Sequence, residues 1–394
     1  MFFSILKKIS LNGKIDIIDC NDNIHTFGDS DPYVKIKFKN KSIERKLFFN
    51  PSLYLGEGYM DEEILIIEGT IEDFIKIITS SYDEFISKNK TFNIYEKISG
   101  FLKPLQQINK ILQSKKNVAH HYDLNENLYK LFLDKDMQYS CAYFHNENLS
   151  LDQAQLDKKK HIIKKLNIKE NMNILDIGCG WGGLSLQIAK DTGANVKGIT
   201  LSENQYAIAQ KRAQEEGLNE KVKFVLQDYR EEKNKYDRIV SVGMFEHVGI
   251  QYFPKFFSKT MDILKEEGIF LLHTIGQRGT PTATSPWIRK YIFPGGYIPS
   301  MSEIINVCQK QNINITDIEI LRKHYAITLS RWYENCLKQK SKIINIFDDR
   351  FFRMWEFYLL ISKYSFLNMG NVVFQIQMTK NINNLPITRN YIYN

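Results

Sequence analysis

Residues 172–183 read MNILDIGCGWGG, and this stretch decides the fold. Its apolar part, Met172–Ile177, predicts a short buried strand, because a compact apolar run bounded by turn residues suits a strand covered on both faces. The glycines that follow permit a tight turn, at which the backbone can approach a bound ligand before a helix begins near Leu184. A nucleotide-like ligand fits such a turn.

The glycine turn is not the dinucleotide fingerprint G-x-G-x-x-G, because no acidic residue ends the next predicted strand. Together with the preceding aspartate it has the form D-x-G-x-G, which favours S-adenosylmethionine as the ligand. Asp176, Gly178, Gly180 and Gly182 are then candidate cofactor-binding residues. Glycine turns of this kind also occur only to let a helix pack closely, so the motif alone leaves both interpretations open.

Length and composition indicate a folded protein with more than one domain. The 394 residues can supply two hydrophobic cores, and 43% hydrophobic with 25% charged residues excludes a mainly disordered chain. The apolar start Met1–Leu6 is too short for a signal peptide, and no stretch is long enough to span a membrane. Five scattered cysteines without a C-x-x-C pair favour neither disulfides nor a metal site. We expect a cytoplasmic protein.

The net charge of +8 is a modest excess that favours an anionic surface, either membrane or nucleic acid. The densest group of lysines lies within residues 157–169. There the lysines alternate with isoleucine and leucine at helical spacing, which is typical of an amphipathic helix with a solvated lysine face.

The chain divides into three predicted segments. Residues 1–90 alternate short β-type runs with turns and then a helix capped by Thr70 and Asp73, which indicates a small α+β domain. Residues 91–116 are rich in lysine and asparagine and are predicted as a helical linker. Residues 117–394 alternate strand and helix signals, which predicts an α/β domain with a mostly parallel seven-stranded sheet and helices on both faces. Its strands are predicted at 173–177, 195–200, 223–226, 237–242, 268–274, 315–321 and 372–378.

Two titratable residues follow neighbouring predicted strands. Glu246 comes just after the strand near 237–242, and His273 ends the strand near 268–274. Ligands of such sheets bind beyond the carboxyl ends of the strands, so both side chains should face the same crevice as the glycine turn. They could form an acid–base or anion-holding pair. A carboxylate at a helix start and a hydrogen-bonded core histidine are the ordinary structural alternatives.

Cys141 lies in the aromatic stretch Met137–Phe144. A lone cysteine is usually a small buried hydrophobic residue. A nucleophilic role would need a lowered thiol pKa, which a sequence does not reveal. A second cap, formed by Ser202 with Gln205 three positions later, explains both of those residues structurally.

The motifs, taken in order, closely resemble those of cyclopropane-fatty-acyl-phospholipid synthases and, more distantly, of mycolic acid cyclopropane synthases. The resemblance covers residues 117–380, with a thinner match at Phe49–Pro51 and Gly56–Asp61. The motifs that carry it are His121–Leu124, Met137–Phe144, Leu175–Gly183, Thr200–Gln205, Val242–Gly249, Leu271–Gly276, Lys290–Pro294, His324–Ala326, Thr328, Leu329 and Trp332.

This resemblance implies a class I, Rossmann-like S-adenosylmethionine-dependent methyltransferase. It would transfer a methyl group to the cis double bond of an acyl chain in a membrane phospholipid, with proton loss and ring closure to a cyclopropane. The family uses a bound bicarbonate as the base, at positions that match Cys141, Glu246, His273, Tyr325 and the backbone near Ile275. The family's cofactor positions match Tyr139, Ser140, Gly178, Thr200, Leu201, Gln205, Asp228 and Tyr229.

The implied substrate lies in a bilayer, so we expect reversible peripheral contact with the inner face of the cell membrane. Two stretches could make this contact, the basic Lys158–Lys169 and the aromatic Pro286–Met301. We expect no nucleic-acid partner and consider a homodimer. One alternative is a related lipid methyltransferase that gives a methyl-branched or other non-cyclised product. Another is an inert membrane-associated protein, or a nucleic-acid methyltransferase, built on the same fold.

Overall fold

The structure is a computed structural model, and it describes residues 2–89 and 126–393. The predicted linker 91–116 and the motif His121–Leu124 lie outside the described residues. The described chain forms two compact units. The first comprises residues 2–89, 282–294 and 329–370, and the second comprises residues 126–281, 295–328 and 371–393.

The N-terminal segment forms a four-stranded sheet with strand order β2-β1-β3-β4, in which β1 and β3 are parallel. The N-terminal segment therefore combines a sheet with helices. Thr70 and Asp73 form the predicted capping box. The elements are α1 (Phe2–Leu6), β1 (Lys14–Ile18), β2 (Ile24–Phe27), β3 (Tyr33–Phe38), α2 (Lys41–Phe49), α3 (Pro51–Met60), β4 (Ile64–Glu68), α4 (Ile71–Ser80) and α5 (Tyr82–Lys88).

Seven strands and eleven further helices follow in the rest of the described chain. In order, they are α6 (Glu126–Phe132), α7 (Leu151–Leu166), β5 (Asn173–Ile177), α8 (Gly183–Thr192), β6 (Asn195–Thr200), α9 (Glu203–Glu215), β7 (Val222–Leu226), β8 (Tyr236–Val242), α10 (Phe253–Ile263), β9 (Leu264–Gln277), α11 (Pro286–Tyr291), α12 (Met301–Lys310), β10 (Asn314–Leu321), α13 (His324–Lys338), α14 (Lys340–Ile346), α15 (Asp349–Asn368), β11 (Asn371–Thr379) and α16 (Asn390–Tyr393).

The seven strands form one sheet in the order β10-β11-β9-β8-β5-β6-β7. Strands β9, β8, β5, β6 and β7 are parallel, whereas β11 lies antiparallel between β9 and β10. Strand β5 lies between β6 and β8. The chain passes from β5 to β6 and β7 on one side and then returns to β8 and β9 on the other side. The strand order therefore reverses at β5, and α/β sheets bind ligands at such a point. The expected α/β fold with a mostly parallel seven-stranded sheet is confirmed.

Successive residues of β5 point into two different cores, as a strand covered on both faces requires. Leu175 and Ile177 belong to a core that includes residues of α10 and α12, and Ile174 belongs to a core that includes residues of α7, α8 and α9. The helices therefore cover both faces of the sheet, and the carboxyl edge of the parallel strands stays available for a site.

Helix α7 does not have the solvated lysine face that its sequence indicates. Lys158 and Lys165 are fully buried and Lys159 is nearly so, while Lys160 and Lys164 are exposed. The buried ammonium groups of Lys159 and Lys165 are tolerated because carboxylates from other segments pair with them. Lys165 lies 2.6 Å from Glu319 and Lys159 lies 2.6 Å from Asp136. The proposal that Lys158–Lys169 forms a basic membrane-docking face is therefore wrong for half of its lysines.

The aromatic stretch Pro286–Met301 is also largely internal. Trp287 and Tyr297 are each about 1% exposed, and each packs within its own unit. Trp287 donates a hydrogen bond to the sulfur of Met60, and the Tyr297 hydroxyl donates to Glu303. These two rings do not form the expected membrane-facing surface. Among the described residues, no helix is both long and apolar enough to span a bilayer.

Candidate active site

An open cavity lies beyond the carboxyl ends of β5, β6 and β8. All of the predicted cofactor residues except Gly182 line it. The lining residues are Met137, Gln138, Tyr139, Ser140, Asp176, Ile177, Gly178, Cys179, Gly180, Trp181, Leu184, Ile199, Thr200, Leu201, Gln205, Gln227, Asp228, Tyr229, Arg230, Val242, Gly243, Met244, His247 and Val248.

The glycines of the turn have two different tasks. Gly178, Gly180 and Gly182 all have positive φ, at 82°, 56° and 85°. A Cβ on Gly180 would meet no atom within 4 Å, so this position leaves open space along the cavity. A Cβ on Gly182 would lie 2.5 Å from Cζ of Phe224. Gly182, predicted as a cofactor contact, is therefore a packing glycine at the start of α8.

Asp176 lies on β5 just before the glycine turn, lines the cavity and is 1% exposed. Its carboxylate accepts a hydrogen bond of 2.7 Å from the hydroxyl of Ser185. Burial raises the pKa of Asp176 to about 6, while Ser185 and the charge of Lys158 oppose the rise. The carboxylate is thus fixed from helix α8 at the wall of the cavity.

The second wall is built at the end of β6. Ser202 Oγ accepts a hydrogen bond from the backbone N–H of Gln205, as predicted for a cap. The side chain of Gln205 does not complete the box, because its Oε1 accepts a hydrogen bond of 2.9 Å from Thr200. Gln205 therefore has two separate roles. Its backbone N–H takes part in the helix cap, and its side-chain amide lines the cavity.

Helix α7 holds the third wall, the segment Gln138–Ser140. Gln155 donates to the backbone oxygens of Gln138 and Ser140, at 3.2 and 2.9 Å. Lys158 donates to the Gln138 side chain at 2.7 Å and to the Ser140 hydroxyl at 2.8 Å. Burial lowers the pKa of Lys158 to about 8, a shift that the carboxylate of Asp134 opposes. Sequence reasoning missed this role, because nothing in the lysine pattern marks which ammonium groups face inward.

The fourth wall carries Asp228 and Tyr229, together with Arg230, which was not predicted. Asp228 is buried, and its carboxylate accepts hydrogen bonds of 2.8 and 2.6 Å from the guanidinium of Arg230. This bidentate geometry holds the carboxylate in one orientation at the cavity.

Glu246 lies in a short 3-10 turn after β8, whose neighbours Met244 and His247 line the cavity. It is nearly buried, and its Oε1 accepts a hydrogen bond of 2.6 Å from the backbone N–H of Ile275. Its Oε2 has no hydrogen-bond partner of good geometry among the described residues. The nearby hydroxyl of Thr274 nevertheless lowers the pKa of Glu246 to some extent. Burial is the larger effect and raises the pKa of Glu246 to about 7.

His273 is 2% exposed and lies on β9, two residues before Ile275. Its Nδ1 lies 3.1 Å from the amide nitrogen of Gln375 on β11. Burial holds the pKa of His273 well below its usual value, and the charges of Lys158 and Lys165 lower it further. The imidazole is therefore neutral. Sequence reasoning missed Gln375; the available signal was the pair of amides, Gln375 and Gln377, within the otherwise apolar run of β11.

Cys141 is buried, and burial holds the pKa of its thiol well above its usual value. A thiol that stays protonated is a poor nucleophile, which leaves hydrogen bonding as the available chemistry. The next residue, Ala142, donates its backbone N–H to Thr328 at 3.1 Å, and Phe144 donates to His324 at 2.9 Å. The segment with Cys141 is thereby joined to the first turns of α13, which also carry the buried Tyr325.

The structure thus joins Glu246 to the backbone of Ile275, two residues after His273 on β9, and it joins the Cys141 segment to that of Tyr325. The charge of Lys158 lowers the pKa values of both Cys141 and His273. The site therefore combines an open cavity with a buried polar group of neutral donors and acceptors. Such an arrangement can hold a small anion beside a larger ligand.

Comparison with known protein families agrees with the motifs. The family described as mycolic acid cyclopropane synthetase matches residues 109–376. Residues 2–90 match a domain whose function is unknown. The cyclopropane-fatty-acyl-phospholipid synthase of Escherichia coli (strain K12) is 37% identical over 357 residues, which cover 89% of this chain and 88% of that protein.

Two solved structures are similar in both sequence and fold. The cyclopropane synthase MmaA2 from Mycobacterium tuberculosis is 32% identical, and a TM-score of 0.65 accompanies coverage of 69% of this chain and 99% of that one. The mycolic acid cyclopropane synthase CmaA1, complexed with SAH and CTAB, is 31% identical with a TM-score of 0.64. That match covers 67% of this chain and 97% of the other.

We predict that alanine substitutions at two glycines of the turn, Gly180 and Gly182, have separable effects. Gly182→Ala should lower the free energy of unfolding by roughly 2–4 kcal/mol, because a left-handed backbone and a clash with Phe224 add. Gly180→Ala should lower the free energy of unfolding only by the cost of the left-handed backbone, roughly 1–2 kcal/mol. The same substitution should weaken S-adenosylmethionine binding about tenfold or more. Urea unfolding without cofactor and titration calorimetry measure the two effects. Equal stability losses with unchanged affinity would contradict the division of tasks.

We also predict a pH-dependent stability difference for Glu246→Gln. The pKa of Glu246 is about 7 in the folded protein against a reference of 4.5, so the folded state keeps a proton that the unfolded state releases. Wild-type stability should therefore fall between pH 4.5 and 7 relative to the variant, by roughly 3 kcal/mol in total. Urea unfolding at several pH values measures this difference. The exposed Glu220→Gln is the control, and a flat difference for Glu246→Gln would contradict burial as the cause.

Proposed function

Because the chain belongs to the mycolic acid cyclopropane synthetase family, we propose that it acts as a cyclopropane-fatty-acyl-phospholipid synthase. It is an S-adenosylmethionine-dependent methyltransferase. Its substrate would be the cis double bond of an unsaturated acyl chain in a membrane phospholipid. The proposal is supported by three buried polar residues that adjoin residues lining the cavity. Cys141 follows Ser140, Glu246 lies between Met244 and His247, and the backbone oxygen of His273 accepts a hydrogen bond from Gly243.

The residue types suit this reaction. An alkene is a weak nucleophile, so the methyl group of the sulfonium must be held close to it and in line. Transfer of the methyl breaks its bond to sulfur, forms a bond to one alkene carbon and leaves a cation on the other. Loss of a proton from the new methyl group then closes the ring. The cation must be kept from water during this step, which requires a buried site.

The site also fits bicarbonate, which supplies the base for this proton when bound. Glu246 has a buried carboxylate oxygen without an acceptable hydrogen bond among the described residues. The protonated thiol of Cys141 and the neutral imidazole of His273 can donate to the anion. The backbone N–H of Ile275 donates to Glu246, so Ile275 would act by holding that carboxyl group in place. Tyr325 is buried at the start of α13 and offers an aromatic face, which favours a cation without reacting with it.

The proposed cofactor contacts follow the cavity walls. Tyr139 and Ser140 would form one wall, Gly178 and Gly180 would lie against the bound ligand, and Asp176 would support the turn. The remaining residues proposed to bind S-adenosylmethionine are Thr200, Leu201, Gln205, Asp228 and Tyr229, all of which line the cavity.

We expect wild-type protein, expressed in a host that lacks cyclopropane lipids, to add one methylene unit to unsaturated phospholipid chains. Mass spectrometry detects the mass gain, and proton NMR distinguishes cyclopropyl from vinylic signals. His273→Ala should lower the rate by roughly 10²–10⁴-fold, as expected for a positioned proton-transfer element, with little change in cofactor affinity. Cys141→Ser should retain partial activity.

Cys308→Ser is the matched control, because Cys308 is a buried cysteine that packs against Met378, in the core. Its product should be unchanged. A methyl-branched product without cyclopropyl signals would instead support the related lipid methyltransferase. No lipid product, despite S-adenosylmethionine binding, would contradict both. A rate that does not respond to bicarbonate depletion would remove bicarbonate from the proposal.

The proposal includes reversible docking at the inner face of the cell membrane, and it includes a homodimer. Docking is supported by the net charge of +8, because each basic residue near an anionic surface contributes about 1 kcal/mol. We expect binding to anionic vesicles at low salt, loss of this binding as salt increases, and weaker binding to zwitterionic vesicles. Co-sedimentation measures these affinities, and failure to bind anionic vesicles at low salt would contradict docking. Analytical ultracentrifugation of the full chain tests the dimer.

A further inference from the structure

Gln375 is paired with His273 across the sheet. Strands β11 and β9 are antiparallel, and their register places these two residues directly opposite each other. Both side chains are buried, at 0% and 2% exposure. The amide nitrogen of Gln375 lies 3.1 Å from Nδ1 of the imidazole, which is a hydrogen-bonding distance.

The direction of this hydrogen bond determines where the imidazole carries its proton. An amide NH₂ group can only donate, so Nδ1 must accept and the ring proton must lie on Nε2. The ring stays neutral because it is buried and close to two ammonium groups, Lys158 and Lys165. His273 therefore has one N–H group, and that group faces away from Gln375.

The opposite orientation of the amide would have the reverse effect. Its oxygen on Nδ1 would require an Nδ1 proton, and Nε2 would become an acceptor that repels an anion. In the observed orientation, the Gln375 oxygen is buried without a hydrogen-bond partner among the described residues. Buried acceptors without partners are uncommon.

We propose that Gln375 is a positioning residue that holds His273 in its Nε2–H form. In this form His273 donates a hydrogen bond to the bound anion and cannot itself remove the substrate proton. The inference rests on the proposed function, because it assigns His273 as a donor to the anionic base. It also explains why a polar amide occupies a fully buried position in an apolar strand, where an unsupported amide costs stability.

The test compares two substitutions by nitrogen-15 NMR of histidine-labelled full-length protein and by steady-state kinetics. Wild type should show the shifts of an Nε2–H imidazole for His273. Gln375→Glu keeps the size of the side chain but gives Nδ1 an acceptor, so His273 should change to the Nδ1–H form. Gln375→Met removes the hydrogen bond and should leave a mixture of forms. In both variants kcat should fall roughly 10- to 100-fold, with the KM for S-adenosylmethionine unchanged.

Gln377→Met is the matched control. Gln377 is a buried amide on the same strand and face, and it donates to the backbone oxygen of Lys165 and the hydroxyl of Tyr391. Gln377→Met should lower the unfolding midpoint, as substitution of Gln375 would. In this variant, however, His273 should remain in the Nε2–H form, and kcat should stay within about twofold of wild type. Calorimetric binding of S-adenosylmethionine identifies the folded variants.

An Nδ1–H imidazole in the wild type would overturn the inference. So would a Gln375→Glu or Gln375→Met variant that is folded and retains both the Nε2–H form and the wild-type kcat. Absence of cyclopropane lipids with the wild-type enzyme is a different result, because it contradicts the proposed function. The NMR measurement on wild-type and variant protein still determines whether Gln375 sets the ring proton in that case.

Discussion

Helix α7 packs on one face of the sheet and buries three of its ammonium groups away from water, and this constraint shapes one side of the cavity. A buried ammonium is tolerated only when hydrogen-bond acceptors surround it. Lys158 finds them in the segment Gln138–Ser140, Lys159 in Asp136, and Lys165 in Glu319. The contacts of Lys158 and Lys159 fix the loop that forms one wall of the cavity. The same contacts that permit α7 to pack therefore also shape the site.

The neutrality of the second part of the site has a single cause. Burial raises the pKa values of Glu246 and Cys141 and lowers that of His273, so each group moves toward its uncharged form. A pocket with few fixed charges can accept an anion without strong repulsion, and the nearby ammonium of Lys158 favours one. Burial also excludes water, and a cationic reaction intermediate needs this exclusion because water would react with it.

Most of the fold could be predicted because its signals are local. The run Met172–Ile177 and its glycines gave β5 and the turn, and six further apolar runs located the other strands of the large sheet within a few residues. Pairings between distant residues could not be predicted in this way. The buried lysines of α7 and the amide of Gln375 depend on partners far away in the sequence. Hydrophobic periodicity is a local pattern, so it does not predict which distant residues pair. Gly182 resembled its neighbours in sequence, but Phe224 determines its role.

Strand β11 joins the large sheet through contacts between residues far apart in the sequence. It enters between β9 and β10, and it brings Gln375 to a histidine 102 positions earlier in the sequence. A chain folded only through β9 would have the glycine turn and the imidazole, but the imidazole would lack its partner. Contacts of such high sequence separation form late when local structure forms first. Competence for the reaction would then arise in one of the last steps of folding, so a partly folded chain could hold cofactor before it could complete turnover.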